Sequence, residues 1–428
     1  MRNPLQKSPH FGGKAGCQQA GWMPMRDPPY FGAKNRAKMD APRYSPRQVF
    51  WTACAGMLLF GICMITLGSL SIPVGRRFRL DHAEIGALFT MMPFGVLSGS
   101  LVFGPVCDRY GYRIPLLVSC LLLFIGFQGI AHAADTAQMA AFIFLCGLGG
   151  GIVNGATNGV VADISTTDKG GDLSLLGVFF ALGAVGMPAL LALFAKTHDY
   201  ETVLSGVGLL PLPVALACGM VRFPAPKVLA SVPMRETLRL ASSPLLLGMS
   251  FFLFLQSGIE AAVSNWTTRY LAERKGLDTS SALYALSLSV VGMAMARILI
   301  GTVLRRWTRP RLLYTSFQLT ILAMLLLATG TGESAAYAAL FLTGCGISAA
   351  FPLMMGMIGD AFPKMSASAF SIALAIALSG NMAVNYAMGM VAVRFGIAHL
   401  PAIAICLTVL MAATAALLFR KPTGNIEE

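Results

Sequence analysis

Glu260 is the one carboxylate that the sequence places well inside a long apolar run. An ionisable side chain at membrane depth costs about 2.5–3.5 kcal/mol on insertion scales, so it faces a cavity or a partner. Gln256 and Ser257 precede it by four and three residues, and Ser264 and Thr267 follow by four and seven. Those spacings put all of them on one helical face, a polar stripe in an apolar segment. A carboxylate so placed can carry a proton or accept hydrogen bonds from a hydroxylated solute. The alternative is a Glu near the outer interface, paired with Arg269 or simply hydrated.

Two amide pairs recur at the same i, i+4 spacing: Asn154 with Asn158, beside Thr157, and Asn381 with Asn385. Amides offer both donors and acceptors, which suits hydroxyl-rich solutes. They serve equally well as hydrogen bonds between packed membrane helices. Trp266, further along the helix of Glu260, either stacks on a ring face of a solute or anchors the helix at the outer headgroups. Arg297 lies one turn before Gly301 and reads as an Arg reaching toward a nearby membrane surface rather than a solute contact. The glycine-rich run Gly147 to Gly155 has no strand before it and no Lys-Ser/Thr after it, so it is no phosphate loop. Close helix approach explains it. There is no HExxH, no GxSxG and no His–Cys cluster, and the nine Cys contain no CxxC pair. No metal site, cofactor or enzymatic constellation is expected.

The elements that must hold these residues follow from composition. Of 428 residues, 56% are hydrophobic and 12% charged, about half the charge of an ordinary soluble chain. Apolar runs long enough to cross a bilayer recur along almost the whole length, continuous rather than alternating, so they are helices. Twelve are expected, at roughly 48–74, 84–107, 114–133, 137–162, 173–195, 202–221, 244–271, 281–304, 312–330, 334–358, 367–393 and 397–419. Residues 1–46 read as a disordered basic tail, with Met39 as an alternative start. A six-helix bundle over 47–221, a cytoplasmic central loop over 222–243, a second bundle over 244–420 and a short tail over 421–428 complete the chain. The net charge of +13 comes from Lys and Arg gathered on the loops of one face, which argues against nucleic acid and for both termini cytoplasmic in the plasma (inner) membrane. Arg76, Arg77 and Arg79 run against that bias.

A shift of 197 positions lays Gly104 on Gly301, Gly147 on Gly344, Gly149 on Gly346, Asp163 on Asp360 and Gly183 on Gly380. One offset, with no insertion, relates the second, fourth and fifth spans to the eighth, tenth and eleventh. The chain is therefore expected to be an all-α membrane protein of two pseudo-symmetric six-helix bundles.

Between the second and third spans stands FGPVCDRYGYRIPLL, with Gly104, Asp108, Arg109, Gly111 and Arg113 in the order G-x-x-x-D-R-x-G-x-R. This resembles the signature loop of the major facilitator superfamily, and the resemblance covers essentially residues 48–420. It implies two bundles rocking about a central site lined by spans one, four, seven and ten. It also implies a gating loop in which Asp108 meets the N-terminal end of span eleven, near Ser366 and Ser368, and latches the cytoplasmic side. EAAVSNWTTRYLAERKG in span seven and LGVFFALGAVGMP in span five resemble the sugar-porter branch with fucose:proton symporters and related glucose carriers. That branch has acids in spans one and four. Here span one has none, and span four has Asn154, Asn158 and only the terminal Asp163.

The expected function is a monomeric carrier of a small polar solute, a sugar or polyol, by proton-coupled symport. Glu260 would bind or couple, with Gln256, Asn154 and Asn158 as hydrogen-bonding partners. The alternatives are an exporter of drugs or metabolites, and a non-transporting sensor with a carrier fold.

Overall fold

The structure, a computed structural model, describes residues 44–165, 169–195, 197–224 and 240–420. The expected N-terminal tail up to residue 43, most of the central loop and residues 421–428 lie outside these. Among the described residues, twelve helices are long and apolar enough to cross a membrane: Pro46–Ser69, His82–Phe103, Arg113–His132, Thr136–Ile164, Gly171–Phe194, Tyr200–Met220, Pro244–Lys275, Thr279–Thr302, Arg309–Thr329, Gly332–Ala361, Ser368–Phe395 and Ile397–Phe419. They are spans one to twelve below. An even number of crossings leaves both ends of the bundle on one side, the terminal face; the opposite side is the far face.

Three spans break where proline removes a helical donor. Span one was expected to run to residue 74, but it stops at Ser69 and a separate helix follows over Ser71–Phe78. Pro73 has no N–H to offer the Ser69 carbonyl. Span six breaks between Val207 and Pro211, and span ten between Ile347 and Ala350. The helix Ser71–Phe78 carries the arginines that oppose the charge bias, and Arg77 explains itself structurally. Its guanidinium donates to the Ala133 carbonyl at 2.8 Å, the Tyr200 hydroxyl at 2.9 Å and the Ala131 carbonyl at 3.2 Å, and pairs with Glu201 at 3.1 Å. The Tyr200 hydrogen bond, ahead of the Glu201 charge, pushes the Arg77 pKa higher still.

The segment expected as a loop after span two is mostly helix. The helix of span two continues through Tyr110, so Asp108 and Arg109 occupy its last turn. Gly111 turns the chain with φ 73°, a region that a side chain disfavours, and Arg113 already begins span three. Arg109 is exposed with its guanidinium 5.3 Å from the Tyr110 ring, while Arg113 donates to the Gly219 carbonyl of span six. Tyr112 donates to Asp163 at 2.8 Å, tying the start of span three to the end of span four. The side chains of Asp108 and Ser366, the expected latch, lie outside the described residues.

The repeat reappears as packing. Spans two and three pack on span four as eight and nine pack on ten; span one packs on five as seven packs on eleven. The register matches position for position. A Cβ on Gly147 would strike the Met92 carbonyl, and one on Gly344 the Ser289 carbonyl, 197 residues later in both partners. Gly95 faces the Phe144 carbonyl, and Gly292 faces that of Phe341 at the same offset. Backbone contact at these glycines lets the helices approach closely, which supplies most of the packing available between membrane spans.

The halves meet through spans two and eleven and through five and eight, with spans one and seven converging at the far face. Ser71 and Thr268 share a hydrogen bond of 2.8 Å, and Thr268 donates to the Gly68 carbonyl at 3.0 Å. Arg269 reaches the Ser71 carbonyl at 3.4 Å and His82 at 3.1 Å, and Glu273 pairs with both Arg269 and His82. Alongside, Gly86 and Gly389 bring the backbones of spans two and eleven together.

Candidate functional site

Below this seam lies a cavity of about 150 Å³ between the halves. Spans one, two, five, seven, eight and eleven line it, contributing among others Met64, Met92, Phe180, Glu260, Arg297 and Asn381. Spans four and ten, expected to line it, stand behind. Val153 and Thr157 of span four pack against Gly56 of span one, and Gly150 packs against Phe60 and Cys63.

Glu260 lines the cavity together with Ser264 of the polar stripe. It is half-buried, and Gln256, one turn earlier, donates to its Oε1 at 3.0 Å. The same Gln256 amide donates to the Ile347 carbonyl at 2.8 Å, the last residue before the break in span ten. Gln256 is wholly buried, and its Oε1 has no partner. Two hydrogen bonds from one amide fix the Glu260 rotamer and aim the carboxylate into the cavity.

The span-eleven amides join it in a relay. Asn265 of span seven donates to Asn385 at 3.1 Å, Asn385 donates to Asn381 at 2.9 Å, and Asn381 donates to the Ser257 carbonyl at 3.4 Å. Asn385 is fully buried and serves as the internal link, while Asn265 and Asn381 line the cavity. Asn154 and Asn158 do not join. Asn158 donates to the Asn154 side chain and carbonyl, both at 2.9 Å, and the pair does not line this cavity.

Two sequence readings are corrected here. Trp266 is neither an interfacial anchor nor a cavity residue. It is wholly buried, edge-on to Phe89 of span two at 5.3 Å, and helps to plug the far face. Arg297 is exposed, as expected of an Arg reaching toward a surface, but it also lines the cavity, where its charge acts on Glu260. Its nearness to the end of span eight in sequence concealed this, because an Arg stem of several carbons spans more than a helical turn. The available signal was complementarity. One carboxylate and one guanidinium, each costly alone within a membrane span, are cheaper lining one cavity. Asn265 was missed as well, since it flanks rather than shares the stripe of Glu260.

The arrangement can hold or release a proton at Glu260, offer a fixed positive charge at Arg297, and hydrogen-bond a solute through Ser264, Asn265 and Asn381. Among the described residues no cluster of His, Cys, Asp and Glu could hold a metal ion.

Residues 52–346 match the family model described as Major Facilitator Superfamily. The chain is 26% identical to the inner membrane transport protein YdiN of Escherichia coli K12 over 59% of its length and 61% of the relative's. It is 28% identical to the 4-hydroxybenzoate transporter PcaK of Pseudomonas putida over 37% of its length and 36% of that protein's. The chain thus spans less than two thirds of either relative. Among solved structures it resembles a D-xylose–proton symporter, with a TM-score of 0.75 at 16% identity, covering 86% of this chain and 96% of that one.

Proposed function

This chain belongs to the Major Facilitator Superfamily of transporters, and we propose that it is a proton-coupled secondary carrier that moves a small organic solute by alternating access. The observation that carries this reading is a lone carboxylate, Glu260, aimed by Gln256 into a cavity between two six-helix halves. The far-face seam closes one side of that cavity, while exposed Arg297 stands toward the terminal face. With the terminal face cytoplasmic, as the Lys and Arg bias suggests, the structure is an inward-facing state of a plasma-membrane carrier. Asp108 would latch the cytoplasmic side in the opposite state. Faster labelling of cytoplasmic cysteines in Asp108→Asn would support that role, and an unchanged rate would remove it.

For cargo, the sugar or polyol class has the support of the span-five and span-seven motifs and of the likeness to a D-xylose–proton symporter. Glu260, Asn265 and Asn381 would hydrogen-bond its hydroxyls, with Gln256 and Asn385 positioning them. A second reading, small aromatic acids, is favoured by Arg297 in the cavity and by the 4-hydroxybenzoate transporter among the relatives. The experiment common to both is solute uptake into proteoliposomes under an imposed pH gradient. Glu260→Gln should abolish accumulation against a gradient while leaving exchange of solute across the membrane intact. Proton-driven accumulation by that variant would show that Glu260 is not the coupling residue. Efflux coupled to proton entry would instead identify an exporter, and binding without exchange a sensor.

A further inference from the structure

The cavity is polar on one side only. Every lining residue from spans one, two and five is apolar, with Met64, Met92 and Phe180 the largest. All the hydrogen-bonding and charged side chains come from spans seven, eight and eleven: Glu260, Ser264, Asn265, Arg297 and Asn381. A polyol carries hydroxyls around its whole edge, and those turned to the methionine and phenylalanine wall would lose water without gaining a partner. A solute with one apolar face and one polar head leaves nothing unpaired. The space of about 150 Å³ is that of a cavity known to hold a single benzene ring.

Charge narrows the head group. Among the described residues, Glu260 and Arg297 are the only charged ones lining the cavity, and Arg297 is the one charged group whose field reaches Glu260. With Glu260 ionised the two charges in the cavity cancel. With Glu260 protonated, Arg297 is the one charge left among the described lining residues, and its field draws an anion into the cavity. Arg is also the side chain best shaped to take a carboxylate, through two parallel hydrogen bonds.

We propose that the cargo is an amphipathic organic monoanion, one aromatic-sized apolar body bearing a carboxylate, and that this carboxylate takes the place of Glu260 opposite Arg297 as Glu260 accepts a proton. The inference rests on the reading of this cavity as the transport site. One proton moves from water to a Glu260 oxygen for each anion bound, and returns to water when the anion leaves. The cavity is neutral before and after, so transport is electroneutral. Arg297 is then the specificity-determining residue. A neutral sugar would leave the protonated site with a net positive charge.

The test uses the full-length protein in proteoliposomes and in detergent, with benzoate, 4-hydroxybenzoate and 3-phenylpropionate as probes against D-xylose and D-glucose. At least one anion should raise the melting temperature, and its affinity should tighten about tenfold per unit fall in pH where Glu260 gains its proton, the slope of one linked proton. Its uptake should follow the pH gradient and change less than about twofold when a potassium–valinomycin potential is imposed. Arg297→Gln should cost about a hundredfold in anion affinity and Arg297→Lys, which keeps the charge but not the fork, about tenfold. Glu260→Gln should bind the anion with no pH dependence. The anion assignment falls if none of the three anions binds, if Arg297→Gln leaves binding unchanged, or if uptake carries net charge. D-xylose transport that survives Arg297→Gln would also overturn it while leaving the carrier reading intact. If Ser264→Trp, which fills the cavity, transports any probe at the native rate, the cavity is not the transport site and both readings fall together.

Discussion

At an offset of 197 residues, Cys63 in span one stands where Glu260 stands in span seven, and Ala184 in span five where Asn381 stands in span eleven. Ala184 and Asn381 both line the cavity, as do the equivalent Leu67 and Ser264. Cys63 is instead buried among sulfurs, 3.6 Å from Met92 Sδ and 3.5 Å from Cys146 Sγ. The two halves keep one backbone register, visible at Gly147 and Gly344, and differ in what they show the cavity. One half supplies a smooth apolar wall and the other supplies every polar contact. A duplicated scaffold can therefore keep its mechanics symmetrical while its chemistry becomes one-sided, because glycine–carbonyl packing does not depend on the residues facing the cavity.

The same cut made at both equivalent positions tests whether the chemistry is one-sided. Glu260→Ala should lower proton-driven uptake by at least about a hundredfold, the scale of losing a catalytic proton carrier, whereas Cys63→Ala should stay within about threefold. Comparable losses would mean that the halves share the chemistry. The symmetrical part is probed by Gly147→Val and Gly344→Val. Each forces a side chain into a carbonyl and should destabilise by about 1–3 kcal/mol, to a similar extent; melting temperatures of the two purified variants check this. Next comes Asn385→Ala, which leaves the Asn265 donor and one acceptor of Asn381 unpaired at a buried site. It should cost about 1–2 kcal/mol and weaken solute binding, while the equivalent Pro188→Ala should not weaken binding. Smallest in its effect on transport is Thr268→Val, which removes the bonds to Ser71 and Gly68, worth about 0.5–1.5 kcal/mol each. A cysteine placed at Ser264 should then react faster with a reagent added at the far face.

The twelve spans were legible because bilayer crossing demands length and apolarity, and both are local properties of a sequence. The repeat was legible through its glycines, though not the carbonyls they meet. The break after Ser69 was missed because Ser71, Ile72 and Val74 continue the apolar run across Pro73. Glu260 and Gln256 were found together since their spacing lies within one helix. Arg297 and Asn265 were not placed, because their partners belong to other helices and no spacing along the chain records that. Trp266 was misread for a related reason: its place against Phe89 depends on how the halves close, which only tertiary structure fixes.

The meeting of Gly86 with Gly389 has a mechanical side. Where side chains interlock, separating two helices means repacking rotamers, and each repacking adds to the barrier. Here bare backbones lie against each other, with a few polar pins such as Thr268 and Arg269 beside them. Such a joint works as a bearing: its surfaces can roll apart without reshaping, and the pins, with the Trp266–Phe89 contact, set how firmly it is held shut. The rate at which the far face opens is then tuned by single hydroxyls and charges rather than by the bulk of the helices that move.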